Sequence, residues 1–185
     1  MMTYQLITSR SDLGGNDHVD WAALGPSKTP IVTPRQGQTA DGAWYVLTQP
    51  KHLVRLRQGT DAAATWVGNF AQDDAVLATS LDPSPIEIRF TPPVRGAGAQ
   101  VQPADLPGNA GKKFRARIVA QDAGGNVLAQ FDLDGRSTNG NDDQAIFIGI
   151  LSDQPGIVSL EINAAWLDQP NQVVDLGINR LDVRD

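Results

Sequence analysis

The chain has 185 residues, 41% of them apolar, and fifteen basic against twenty-one acidic residues give it a net charge of -6. That apolar share belongs to a folded protein and the length suits one domain over 1–185, while the negative balance repels phosphate backbones and acidic lipid surfaces and so excludes nucleic acid as a partner class. Cysteine is absent, which excludes disulfides, thiolate metal sites and cysteine nucleophiles.

Nineteen of the acidic residues are Asp, with Glu at positions 87 and 161 alone. Asp favours turns and caps where Glu favours helix interiors, so the skew predicts many turns and few helices. The N-terminal MMTYQLITSR has no basic region followed by an apolar run, and no stretch reaches the ~18 apolar residues of a membrane span. Neither an export signal nor membrane insertion is expected from the chain as it stands.

The stretch GGNDHVDWAALG, Gly14 to Gly25, gathers Asn16, Asp17, His18 and Asp20 around a tryptophan. Within it, DWAAL fits one helical turn with Asp20 at the start, where a carboxylate suits the positive end of the backbone dipole. From Gly25 to Ala43, Pro, Thr and Gln predict a loop crossing the outside of the domain. AWYVLTQ, HLVRLRQ and DAVLATS then alternate as short strands, which puts Trp44 and Tyr45 on opposite faces.

IEIRF alternates with Ile86, Ile88 and Phe90 inward. RGAGAQV, Arg95 to Val101, begins like a dinucleotide fingerprint but lacks the third glycine and a following helix. GNAGKKF, Gly108 to Phe114, has neither the Walker spacing nor the hydroxyl for magnesium. Both read as turns.

KFRARIVAQ turns Phe114, Ala116, Ile118 and Ala120 inward and Arg115, Arg117 and Gln121 outward. A Gly-Gly turn joins it to NVLAQFDLDG, forming a hairpin. DLDGRSTNGNDD, Asp132 to Asp143, resembles an EF-hand loop only superficially, since Ser137 replaces the sixth-position Gly and Asp143 the twelfth-position Glu, and it reads as a hairpin loop. AIFIGIL suits a central strand covered on both faces, and IVSLEIN and GINRLDV supply two more strands. Eight or more short strands with regular turn signals predict an all-β fold: an antiparallel β-sandwich of jelly-roll type with few or no helices.

Enzyme signatures are missing. His18 and His52 are the only histidines, no nucleophile elbow or zinc motif accompanies them, and Glu87 and Glu161 sit outward on strands, so no catalytic residue is expected. Two binding resources remain. Trp44, Tyr45, Trp66 and Trp166 are candidate stacking surfaces for sugars. In GINRLDV, alternation turns the Asn179 amide inward, and a buried amide needs partners; one arrangement is a calcium ion shared with Asn16, Asp17 and Asp20 of the first loop, another an Asx turn with ordinary hydrogen bonds.

The succession DHVDWAALG, TWVGNFAQDD, IEIRFTPPVRGAGAQVQP, FRARIVAQDAGGNVLAQFDLDG, AIFIGILSDQPGIVSLEI and DLGINRLDV resembles domains of bacterial secreted and surface proteins of the PEP-CTERM sorting kind. The resemblance implies a jelly-roll sandwich similar to carbohydrate-binding, galactose-binding-like modules, and an extracellular or cell-surface setting; without an export signal in the chain, cytoplasmic is the alternative. In such modules a structural calcium often ties the first loop to the last strand. The expected function is a non-catalytic module for carbohydrate or matrix glycans. The alternative is a structural or adhesion domain making protein contacts, or self-associating, through a sheet face or edge.

Overall fold

The computed structural model describes residues 2–61, 65–80, 83–104 and 111–185. Among them the strands are β1 (Tyr4–Ile7), β2 (Asp17–Val19), β3 (Thr29–Val32), β4 (Arg35–Gln38), β5 (Trp44–Gln49), β6 (His52–Arg57), β7 (Ala75–Thr79), β8 (Ile86–Val94), β9 (Gly96–Pro103), β10 (Lys113–Gln121), β11 (Val127–Arg136), β12 (Ile146–Ser152), β13 (Ile157–Trp166), β14 (Leu176–Ile178) and β15 (Leu181–Arg184). One short helix, α1 (Arg10–Leu13), and a 3-10 turn at Trp21–Leu24 accompany them.

The strands form two antiparallel sheets, the sandwich that the alternating pattern predicts. The first runs β1-β12-β9-β14-β7-β6-β3, with β15 pairing both β9 and β2; the second runs β11-β10-β13-β8-β5-β4. Between them lies one core containing Leu47, Ile86, Ile88, Phe114, Ile118, Leu160 and Ile162, each at most 1% exposed. The β10–β11 hairpin forms as expected, with Phe114, Ala116, Ile118 and Ala120 all buried.

Three expectations are corrected. The segment from Gly25 to Ala43 is not one loop: Thr29–Val32 pairs with β6 and Arg35–Gln38 with β5. RGAGAQV is not a turn but most of β9, the centre of the first sheet, paired with β12, β14 and β15. Its small residues permit close approach: an added Cβ at Gly98 would lie 2.7 Å from the Gly149 Cα. In DLDGRSTNGNDD the first part, Asp132 to Arg136, ends β11, as the hairpin strand NVLAQFDLDG has it, and only the remainder is loop. In GNAGKKF, Gly108 to Ala110 lie outside the described residues.

The first sheet's outer face is also covered. Trp66 and Phe70 pack on Val76, Ala78 and Ala145, and Phe147 packs with Ile7 and Leu13. AIFIGIL is thus apolar on both sides because β12 is covered on both sides. The second sheet's outer face carries instead the polar alternates of its strands.

Candidate functional site

The β10–β11 register places Arg115 opposite Asp134 and Arg117 opposite Asp132. Each pair is bidentate: Arg115 Nε donates to Asp134 Oδ1 at 2.7 Å and its Nη2 to Oδ2 at 3.1 Å, while Arg117 makes the same contacts to Asp132 at 2.7 and 2.9 Å. A fork held at two points fixes the guanidinium plane and leaves its other N–H donors for a ligand.

On the other side of β10, the β13 register sets Asn163 beside Arg117 and Ala165 beside Arg115. Beyond Trp166 the chain folds back, with Gln169 N donating to the Trp166 carbonyl at 2.9 Å and Val174 N to the Ala164 carbonyl at 3.0 Å. That return raises Leu167, Pro170, Asn171 and Val173 as a wall. Floor and wall enclose a groove of about 450 Å³ with both amides, Asn163 and Asn171, and both arginines in its lining.

Hydrogen bonds from Arg117 and Arg115 are the main reason that Asp132 and Asp134 keep their carboxyls below the ordinary range, and charge attraction from the same arginines adds to it. A depressed folded-state pKa contributes stability above the unfolded value of about 4, and that contribution is lost as pH falls through the folded value. Both pairs are solvent-facing, so water screens them and each adds little to stability. The Asp132→Asn, Asp134→Asn double variant is therefore expected to melt within a few degrees of the wild type at pH 7 and to lose less than the wild type below about pH 4; melts across a pH series check this.

The face continues beyond the groove. Glu161 and Glu87 lie directly opposite one another on β13 and β8, with Gln121 donating to Glu161 at 2.9 Å and Ser159 Oγ to Glu87 at 3.0 Å. Further along, Trp44 pairs in register with Thr91 and is 46% exposed. Strand spacing places Trp44 on the order of 20 Å from Asn163.

The other candidate rings are buried. Tyr45 is 2% exposed and meets Trp21 edge-on at 5.9 Å between centroids. Trp66 is in the outer cluster on the first sheet. Trp166 is 6% exposed, edge-on to Phe114 and capped by Lys112 Nζ at 4.9 Å from its ring centre, so it lines the groove as a nearly buried residue and offers no open ring face.

The first loop and last strand do meet, through backbone pairing of β2 with β15. Asn16 bonds Asp185; Asp17 Oδ1 accepts from His18 N and Asp41 N at 2.7 and 3.0 Å; Asp20 caps the 3-10 turn through Ala22 N at 2.8 Å. Asn179 is 2% exposed, and its amide engages Asp74 and Gln100 and accepts from Arg10. The four side chains therefore have four different sets of partners, and among the described residues no three His, Asp or Glu gather as a metal site. Asp20→Ala is expected to cost about 1 kcal/mol, as a lost cap does, equally in calcium and in chelator. A loss confined to calcium would assign the carboxylate to a cation.

No known protein family matches the sequence, and no curated protein does. Among solved structures, the chain is similar to a DUF4465 family protein from Bacteroides caccae, with 9% identity and a TM-score of 0.43 over 98% of this chain and 100% of that one. It is also similar to the low affinity xylan binding module CBM86 from Roseburia intestinalis, with 15% identity and a TM-score of 0.28 over 98% and 95%. The module CsCBM6-3 from Clostridium stercorarium, solved in complex with cellobiose, has 6% identity and a TM-score of 0.26 over 98% and 93%.

Proposed function

We infer that the protein is a non-catalytic module that binds a polysaccharide, with the groove of Arg115, Arg117, Asn163 and Asn171 as the main subsite and Trp44 as a remote stacking surface. The observation that carries this is the ordered floor of the groove. Sugar hydroxyls need donors and acceptors held in fixed planes, and here two arginine forks are fixed by their own carboxylates before any ligand arrives. An extended chain could pass from the groove across Glu161, Glu87 and Arg89 toward Trp44, all on one face.

Glycoside cleavage would need a carboxylic acid able to deliver a proton near neutral pH. The carboxylates beside the groove are biased the other way, toward the ionised form. Display outside the cell, implied by the resemblance to sorting-domain proteins, belongs to the same proposal. Among the described residues no helix is long and apolar enough to cross a membrane.

Native electrophoresis through gels containing soluble xylan, β-glucan, galactomannan or pectin tests the reading. Retardation in at least one gel, weakened in the Asn163→Ala, Asn171→Ala double variant, is the expected result. Equal migration in all of them, together with a blank glycan array, would remove the proposal.

Protein contact through a sheet edge is the second reading. It has in its favour that the ten-residue β11 is an edge of the second sheet, with Val127 60% exposed. Against it, Asp132, Asp134 and Arg136 line that strand, and charges on an edge discourage pairing. Light scattering over a concentration series separates the two, and the glycan reading expects no growth in mass without ligand.

A further inference from the structure

A second pocket lies on another part of the molecule. In β6, Leu53 points into the core, and Arg55, two residues on, shares its face. Arg55 is only 9% exposed. Its Nε–H has no hydrogen-bond partner among the described residues, and none of the ion pairs there includes it. Leaving a charged donor buried and unmet is costly, and such a group needs an acceptor.

Arg55 lines a pocket of about 270 Å³ with Asp20, Asp73, Asp74 and Arg180, where the 3-10 turn, β6 and the start of β7 converge. The other charged groups are engaged. Asp20 caps Ala22 N, Asp73 pairs with Arg57 at 3.0 Å, Asp74 Oδ2 accepts from Asn179 Nδ2 at 2.9 Å, and Arg180 pairs with Asp182 at 2.7 Å. The partner missing for Arg55 is therefore supplied by none of its neighbours in the lining.

The charge pattern selects the ligand. The lining mixes three carboxylates with two guanidiniums, Arg55 and Arg180, so its charges nearly balance and favour neither a free anion nor a free cation. A hydroxyl suits both kinds of group, because it accepts from the Arg55 guanidinium while donating to a carboxylate with lone pairs still free. The volume is that of one small unit, below the range of drug-sized pockets. We propose that this pocket is a second ligand site, independent of the groove, that takes a single neutral sugar unit through its hydroxyls, with Arg55 as the central donor and Asp74 and Asp20 as acceptors.

The test follows the Arg55 Nε–H signal in a proton–nitrogen correlation spectrum of the full chain, assigned by its loss in Arg55→Lys. Glucose, galactose, mannose and xylose are added separately at millimolar concentration, with galacturonate and acetate as anionic arms. The expected result is a saturable shift of the Arg55 signal with at least one neutral sugar, retained in Asn163→Ala and with affinity at least tenfold weaker in Arg55→Lys when followed on neighbouring backbone amides. Response to the anions alone overturns the choice of a neutral ligand, and response to none overturns the site. The wild-type titration decides these outcomes even if the variant folds poorly. Because Asn163→Ala disables the groove alone, failure of this pocket and failure of the polysaccharide reading appear in different experiments.

Discussion

Trp21→Ala is expected to lower stability by about 3–5 kcal/mol, the cost of emptying a fully buried large ring, which for a chain of this size is roughly 10 °C in melting temperature. Trp21 is 0% exposed and packs edge-on against Tyr45. Its indole Nε1 also donates to the Asn179 carbonyl at 2.7 Å, tying the first loop to the connection between β14 and β15. Trp21→Phe separates the two contributions: it keeps much of the packing but loses the donor and should cost about 1–3 kcal/mol. A Phe variant as unstable as the Ala variant would make the hydrogen bond, not the ring, the dominant contact.

The second large effect is at Gly98. Its added Cβ would meet the Gly149 Cα at 2.7 Å, the Ile148 carbonyl oxygen at 2.8 Å and the Phe147 ring at 2.9 Å. Two of those neighbours are backbone of β12, which cannot swing aside as a side chain can. Gly98 also faces Asp182 of β15 in register, so moving β9 disturbs strands on both sides. Gly98→Ala is expected to cost about 3 kcal/mol, at the upper end of ordinary overpacking, and Gly98→Val to yield little soluble protein. Denaturant titration of the Ala variant checks the figure, and a loss below about 1 kcal/mol would mean that the two strands separate easily.

These two residues also mark where the sequence is transparent and where it is opaque. Alternation alone identifies the β10–β11 hairpin and places Arg115 and Arg117 outward, because bulky apolar residues mark one face and charges the other. It also separates Trp44 from Tyr45, whose opposite fates are exposure and burial. β9 defeats the same reasoning: Gly96, Ala97, Gly98 and Ala99 show no alternation, and their smallness, required by close packing against β12, resembles turn composition. β3 and β4 contain Pro and Gly and owe their strand character to pairing with β6 and β5, information held elsewhere in the chain.

The groove was half legible for a related reason. Its arginines stand in a clear pattern, but Asn163 comes from β13 and Asn171 from the return after it, and no local signal joins these to β10. The Asn179 amide was legible as buried. Its partners Asp74 and Gln100 were not, since both come from distant segments. For Arg55 a signal did exist: in HLVRLR it has the same parity as Leu53, so a charge falls on the inward face.

Polysaccharide binding in the Arg115–Arg117–Asn163 groove, on the outer face of the second sheet, is the proposal on which the rest depends. It is put to the test by calorimetric titration of wild type and Asn163→Ala with an oligosaccharide cut from whichever polysaccharide retards the wild type. The expected result is saturable wild-type binding and an affinity at least about tenfold lower in the variant, equivalent to about 1.4 kcal/mol, with the melting temperature of the unliganded protein nearly unchanged. Equal affinity in the two proteins would move the ligand off this groove.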